Sequence, residues 1–176
     1  MRGTSEQVYY TRMPSPLGDI LVASSEVGVC RIAIPNEREE DFFAWIGQVF
    51  GHEQAVVSDE HNRPVVEQLQ EYLDGRRREF ELPLDLRGTS FQRRVWGELL
   101  RIPYGGLCSY QDVAVAVGSP RGCRAVGGAV GKNPLPIIVP CHRVIGKDGS
   151  LTGFGCGLDT KRFLLRLEGS LWEHHN

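Results

Sequence analysis

The sequence has no run of about 18 or more apolar residues, so no membrane-spanning helix is expected. Its opening, residues 1–13 (MRGTSEQVYYTRM), has no apolar core behind the first positive charge and does not read as a secretory signal. Both absences predict a cytoplasmic chain with no membrane partner. The five cysteines, Cys30, Cys108, Cys123, Cys141 and Cys156, are odd in number and show no CxxC spacing. That argues against a disulfide framework and against a cysteine-rich zinc site. The five histidines form no HxxxH pair, and Cys30, His52 and His61 have no zinc-site spacing, so no metal is expected. Repeats and low-complexity tracts are also missing.

A formal net charge of −2 conceals an uneven distribution. Residues 1–87 carry nine Lys and Arg against sixteen Asp and Glu, whereas residues 88–147 carry eight against two. Residues 148–176 carry three against four. A basic block in a weakly acidic chain fits an anionic partner such as nucleic acid. It fits a solvated basic face equally well.

A length of 176 residues suits one large domain or two small ones. Alternating apolar residues predict strands over 7–12, 18–24 and 27–34, with a turn at Met13-Pro14-Ser15-Pro16 between the first two. Helical spacing predicts helices over 37–50 and 64–73, and 80–86 alternates like a short strand. The pattern changes at Arg87-Gly88. A small α/β domain over 1–87 and a mainly helical domain over 88–176 are therefore expected.

In the second half, Thr89-Ser90-Phe91-Gln92 is a capping-box signature, followed by a stripe of Phe91, Val95, Leu99 and Ile102. Ser109-Tyr110-Gln111-Asp112 opens another helix, closed by Gly118. Ser119-Pro120 is expected to open the next one, with proline where a missing amide does no harm. Two short helices so closely linked have helix-turn-helix spacing, which many non-binding hairpins share. Gly122, Gly127 and Gly128 fall within that last predicted helix, and each costs about 1 kcal/mol against Ala. Close packing against another helix would offset the cost, and so would close approach to a ligand or groove. Arg121 and Arg124 among these small residues favour the nucleic-acid reading.

Ile137-Ile138-Val139 predicts a short buried strand, ended by Pro140, with Cys141 at its tip. A buried cysteine is often only a small hydrophobe. Here His142 and Arg143 follow directly, and cationic or hydrogen-bonding neighbours favour a thiolate. Cys with His also suits a cysteine hydrolase, with Asn133 or Glu168 available to orient the imidazole.

The segment Pro140-Cys141-His142-Arg143-Val144 resembles the active-site signature of the O6-alkylguanine-DNA alkyltransferases. Similar segments follow one another in the family order. They are Thr89–Gln92, Ser109-Tyr110-Gln111, Arg124–Ala129, Gly131-Lys132-Asn133-Pro134 and Leu164–Gly169. The resemblance covers residues 88–169. Residues 1–87 resemble the family's variable N-terminal domain in layout only.

That resemblance implies a ribonuclease-H-like α/β domain followed by a helical, winged-helix-like domain with a helix-turn-helix. It implies repair of alkylated duplex DNA: O6-alkylguanine is flipped out and its alkyl group moves irreversibly to Cys141, with O4-alkylthymine a second candidate substrate. It further implies a monomer without cofactor or metal, with cooperative loading on DNA left open. By the same resemblance, His142 is the base acting through a water, Glu168 orients it, Asn133 holds the turn, and Tyr110 donates to guanine N3. The carbonyls of Cys141 and Val144 read the guanine amino group, the Gly155 amide meets O6, and Phe154 and Cys156 line the pocket. Arg124 enters the stack, while Thr89, Gln92, Gln111, Cys123, Ala125 and Gly127 face the DNA. Cys156 stands in a stretch that the family usually fills with Gly or Ser, either as a tolerated small residue or as a modifier of access. A lesion-binding relative without transfer chemistry lacks the acceptor cysteine, which is present here.

Overall fold

The computed structural model describes residues 6–51, 55–151 and 157–170. The chain divides into two compact units, residues 1–87 and 88–176.

The first unit is built on strands β1 (Val8–Met13), β2 (Ile20–Ser24), β3 (Val29–Ala33) and β4 (Ala55–Val57) in the order β3-β2-β1-β4. β1 pairs antiparallel with β2 and parallel with β4. Strand side chains alternate between faces, so the two helices take one face each. Val8, Leu21 and Ala23 pack with Phe42 and Ile46 of α1 (Glu39–Phe50). On the opposite face, Ser24 donates to Asn62 Oδ1 at 2.8 Å and Thr11 bonds Asp59, both on α2 (Asp59–Leu73).

Two expectations need correcting here. α2 starts five residues before Pro64, because Ser58 caps it by accepting the His61 amide, and Pro64 lies inside the helix. Residues 80–86 form no strand. Only an isolated bridge from Leu84 to Val29 joins them to the sheet, with Val29 N donating to Pro83 O at 3.0 Å.

The second unit contains α3 (Ser90–Leu99), α4 (Tyr110–Ala116), α5 (Cys123–Gly131) and α6 (Leu158–Leu167). A short parallel ladder joins β5 (Cys108–Ser109) to β6 (Val144–Ile145). α3 opens with the expected capping box, Thr89 and Gln92 each receiving the other's backbone amide. Its buried stripe is Val95, Trp96 and Leu99, not one led by Phe91, which is half-buried. Trp96 is decisive because its indole N–H donates to Ala129 O at 2.8 Å and ties α3 to α5. Among the described residues, no helix is long and apolar enough to cross a membrane.

Candidate active site

Cys141 begins a single 3-10 turn, Cys141–Arg143, that leads into β6. The expected strand before it is instead a tight turn. Ile137 adopts φ 78°, Val139 N donates to Leu135 O at 2.9 Å, and Pro136 and Val139 bridge. The run is apolar because it is buried, not because it is extended. A β-branched residue at positive φ costs of order 1–3 kcal/mol, so surrounding contacts must impose it. Asn133 supplies two: its Oδ1 accepts from Leu135 N at 2.9 Å and its Nδ2 donates to Val139 O at 2.8 Å.

Cys141 is 4% exposed. Burial pushes its thiol up to about 11, opposed by a hydrogen bond from Asn133 and by the charge of Lys161. The resting sulfur is therefore a neutral thiol, and a thiolate must form as the proton leaves. His142 is fully buried, and its Nε2 lies 2.7 Å from Glu168 Oε2. Burial lowers the imidazole pKa and Glu168 partly restores it, so His142 is neutral near pH 7. Its Nδ1 has no hydrogen-bond partner among the described residues.

Arg143 does not serve the thiol. Its Nε and a terminal nitrogen grip Glu168 at 2.8 and 2.9 Å, and its other terminal nitrogen donates to Ile102 O at 2.7 Å. Glu168 thus sits between His142 and Arg143 at the C-terminal end of α6, where Gly105 N also donates to it at 3.3 Å. Tyr110, the first residue of α4, has its hydroxyl pKa raised by burial and then by the charge of Cys141.

Lys161 was missed by sequence reasoning. It is fully buried on α6, and its Nζ donates to Val144 O at 2.6 Å. Burial lowers its pKa while Cys141 raises it. A lysine three residues into an amphipathic helix reads as a surface residue. Only its face, shared with the buried Leu164 and Leu165, hinted otherwise. Val144 O is thus already engaged, and Cys141 O accepts from Val144 N. Each carbonyl keeps a second lone pair for a ligand.

The helical hairpin departs from expectation at its turn. Pro120 does not open the second helix; α5 begins at Cys123 with Gly122 as its N-cap. Gly127 and Gly128 do lie in α5, and a Cβ at either would meet nothing within 4 Å, so close packing does not explain them. Arg124 and Ala125 are exposed, and Gly127 is half-buried. Phe154, Gly155 and Cys156 lie outside the described residues. Among the described residues, no group of three or more His, Cys, Asp or Glu could hold a metal.

The fold and the site define a two-unit protein that carries a sheltered Cys-His-Glu set beside a helical hairpin. Two family models match. The "6-O-methylguanine DNA methyltransferase, ribonuclease-like domain" covers residues 8–86, and the corresponding "DNA binding domain" covers residues 90–170. The constitutive methylated-DNA–protein-cysteine methyltransferase of Bacillus subtilis is 45% identical over 166 residues, spanning 91% of this chain and 94% of the relative. The Methanosarcina barkeri enzyme of the same name is 42% identical over 92% of this chain and 97% of its own. Mycobacterium tuberculosis OGT, crystallised in complex with DNA, superposes with a TM-score of 0.81 at 40% identity, covering 92% of this chain and 93% of its own. The chain belongs to the methylated-DNA–protein-cysteine methyltransferases, DNA-repair enzymes that move an alkyl group from DNA to a cysteine.

Proposed function

We propose that Cys141 is the alkyl acceptor and that residues 88–176 present it to an O6-alkylated guanine flipped out of duplex DNA. The observation that carries this is a thiol 4% exposed beside a buried imidazole with one nitrogen held by Glu168 and the other without a partner among the described residues. A sulfur so sheltered cannot reach an alkyl carbon inside stacked DNA, so the base must come to it. Extrusion costs a few kcal/mol, least for a poorly paired lesion.

His142 takes the thiol proton at Nδ1 through a bridging water, and Glu168 steadies the imidazolium. The sulfur attacks the saturated carbon in line, a C–S bond forms, and the C–O6 bond breaks with its electron pair going to guanine. Tyr110 donates at guanine N3 and neutralises the developing anion, the kind of term worth several kcal/mol in a dry site. Asn133 fixes the turn under the sulfur. The free lone pairs of Cys141 O and Val144 O accept from the guanine amino group. The product is a thioether, which water does not cleave, so each molecule reacts once. The scheme uses the protein's own groups, one water and the lesion, and calls for no cofactor.

Arg124 fills the space the base leaves. The exposed, unencumbered glycine face of α5 lets the backbone approach a groove, and Thr89, Gln92, Gln111, Cys123, Ala125 and Gly127 lie along the DNA side. The protein acts as a monomer in the cytoplasm, on O6-alkylguanine first and O4-alkylthymine second, with cooperative loading on DNA a matter for titration.

The test is a duplex carrying one labelled O6-methylguanine. One methyl per protein should appear on the Cys141 peptide in mass spectrometry while guanine is restored in the DNA. Label on any other cysteine, or repeated turnover, would contradict the reading.

A further inference from the structure

α5 begins differently from its neighbours. α3 and α4 both open with capping boxes, Thr89 with Gln92 and Ser109 with Asp112. α5 opens at Gly122 with no side-chain cap. Gly122 has no side chain to accept from the first amides of α5. Yet this is the start of the helix that carries Arg124.

What holds it comes from α4. Gln111 Nε2 donates to Pro120 O at 3.0 Å, and Gln111 Oε1 accepts from Cys123 Sγ at 2.8 Å. The orientation is unambiguous: the Pro120 carbonyl can only accept, so the amide nitrogen faces it and the amide oxygen is left for the thiol. One side chain of α4 therefore holds both Pro120 in the turn and Cys123, the first residue of α5. Both Gln111 and Cys123 are half-buried, while the next residue, Arg124, is exposed.

We infer that Gln111 is a positioning residue for repair, its amide clasping Pro120 and Cys123 so that α5 starts in a fixed place and Arg124 is aimed. Gln111 and Cys123 then act on DNA through the placement of α5. This rests on the proposed entry of Arg124 into the DNA stack.

The experiment measures single-turnover rates of the full chain on a duplex lesion and on free O6-benzylguanine, and takes their ratio. Gln111→Ala should lower the duplex-to-free-base ratio roughly three- to tenfold, the worth of one or two hydrogen bonds. Cys123→Ala should lower it less, and Cys123→Ser, which keeps a donor, should restore it. The double variant Gln111→Ala/Cys123→Ala should lose no more than Gln111→Ala alone, because both break one clasp. Losses that multiply would mean two separate DNA contacts and would overturn the inference. So would a ratio unchanged in Gln111→Ala while Arg124→Ala lowers it. If Arg124→Ala also leaves the ratio unchanged, the stack-entry reading itself fails. Gln111→Glu covers the case in which Gln111→Ala does not fold: it faces the Pro120 carbonyl with a carboxylate and should lower the ratio at least as far.

Discussion

Cys30 and Cys141 are both buried, at 0% and 4% exposure, and burial pushes both thiols up, to about 12 and about 11. Cys30 lies among Val8, Leu21, Ala23, Phe42 and Ile46, and its thiol reaches only the Ala23 carbonyl, at 3.5 Å. Cys141 lies among Asn133, His142, Tyr110 and Lys161. Burial therefore does not distinguish the proposed acceptor from a core cysteine. Both sulfurs feel cations, Arg87 and Arg31 at Cys30 (where Asp85 opposes them) and Lys161 at Cys141, so the proposed difference is a route for the proton through His142.

The sharpest way to break that comparison is to remove each sulfur in turn. Cys141→Ala should abolish transfer while still binding duplex DNA. Cys30→Ala should transfer a full equivalent, and its cost should appear only as about 1 kcal/mol in the urea midpoint. A Cys30→Ala protein that folds but takes up less than one methyl per chain would erase the distinction. Next in size is Glu168→Gln, which leaves the Arg143 cation buried without its carboxylate and offers His142 a neutral amide in place of a charged acceptor. Transfer should slow roughly a hundredfold, and unfolding should become easier by about 3 kcal/mol. A rate within twofold of the parent would show that orientation by Glu168 is not needed.

Lys161→Met tests the counter-charge. The charge of Lys161 lowers the Cys141 pKa and Cys141 in turn raises that of Lys161, so the ammonium favours the thiolate. The methionine fills similar space without the charge. Transfer should fall about tenfold, equivalent to one pKa unit at the sulfur, and alkylation by iodoacetamide should need a higher pH. An unchanged alkylation profile would confine Lys161 to holding Val144.

Local chemistry was legible in the sequence wherever a few adjacent residues settle it. The Thr89/Gln92 capping box, the Ser109 start of α4 and the three leading strands are of that kind. The misreadings are places where tertiary structure overrode a local rule. Pro64 looked like a helix start, but Ser58 caps α2 earlier. Ile137–Val139 looked like a strand, but Asn133 folds the run into a turn with Ile137 at positive φ. Trp96 gave no periodic signal strong enough to displace Phe91, and its bond to Ala129 is long-range. Lys161 was invisible because its partner, the Val144 carbonyl, is seventeen residues away in sequence and has no side-chain signature.

The smallest predicted effect concerns pH and turns on sign. The ordinary histidine pKa is 6.5, and burial holds His142 below it in the folded protein. More than half of the imidazole is then unprotonated at pH 6.5, where a solvent-exposed histidine is half protonated. Transfer from free O6-benzylguanine should therefore change by less than about twofold between about pH 8 and 6.5, and should fall only at lower pH. Stability follows the same group. The unfolded chain binds a proton at 6.5 that the folded chain refuses, so this contribution is complete above 6.5 and is lost as pH falls below it. The groups that act on Cys30 are Asp85, Arg87 and Arg31, none of which changes charge near pH 6.5. A transfer rate already halved at pH 6.5 would mean that His142 titrates like a solvated imidazole, and the proton route that separates the two cysteines would have to lie elsewhere.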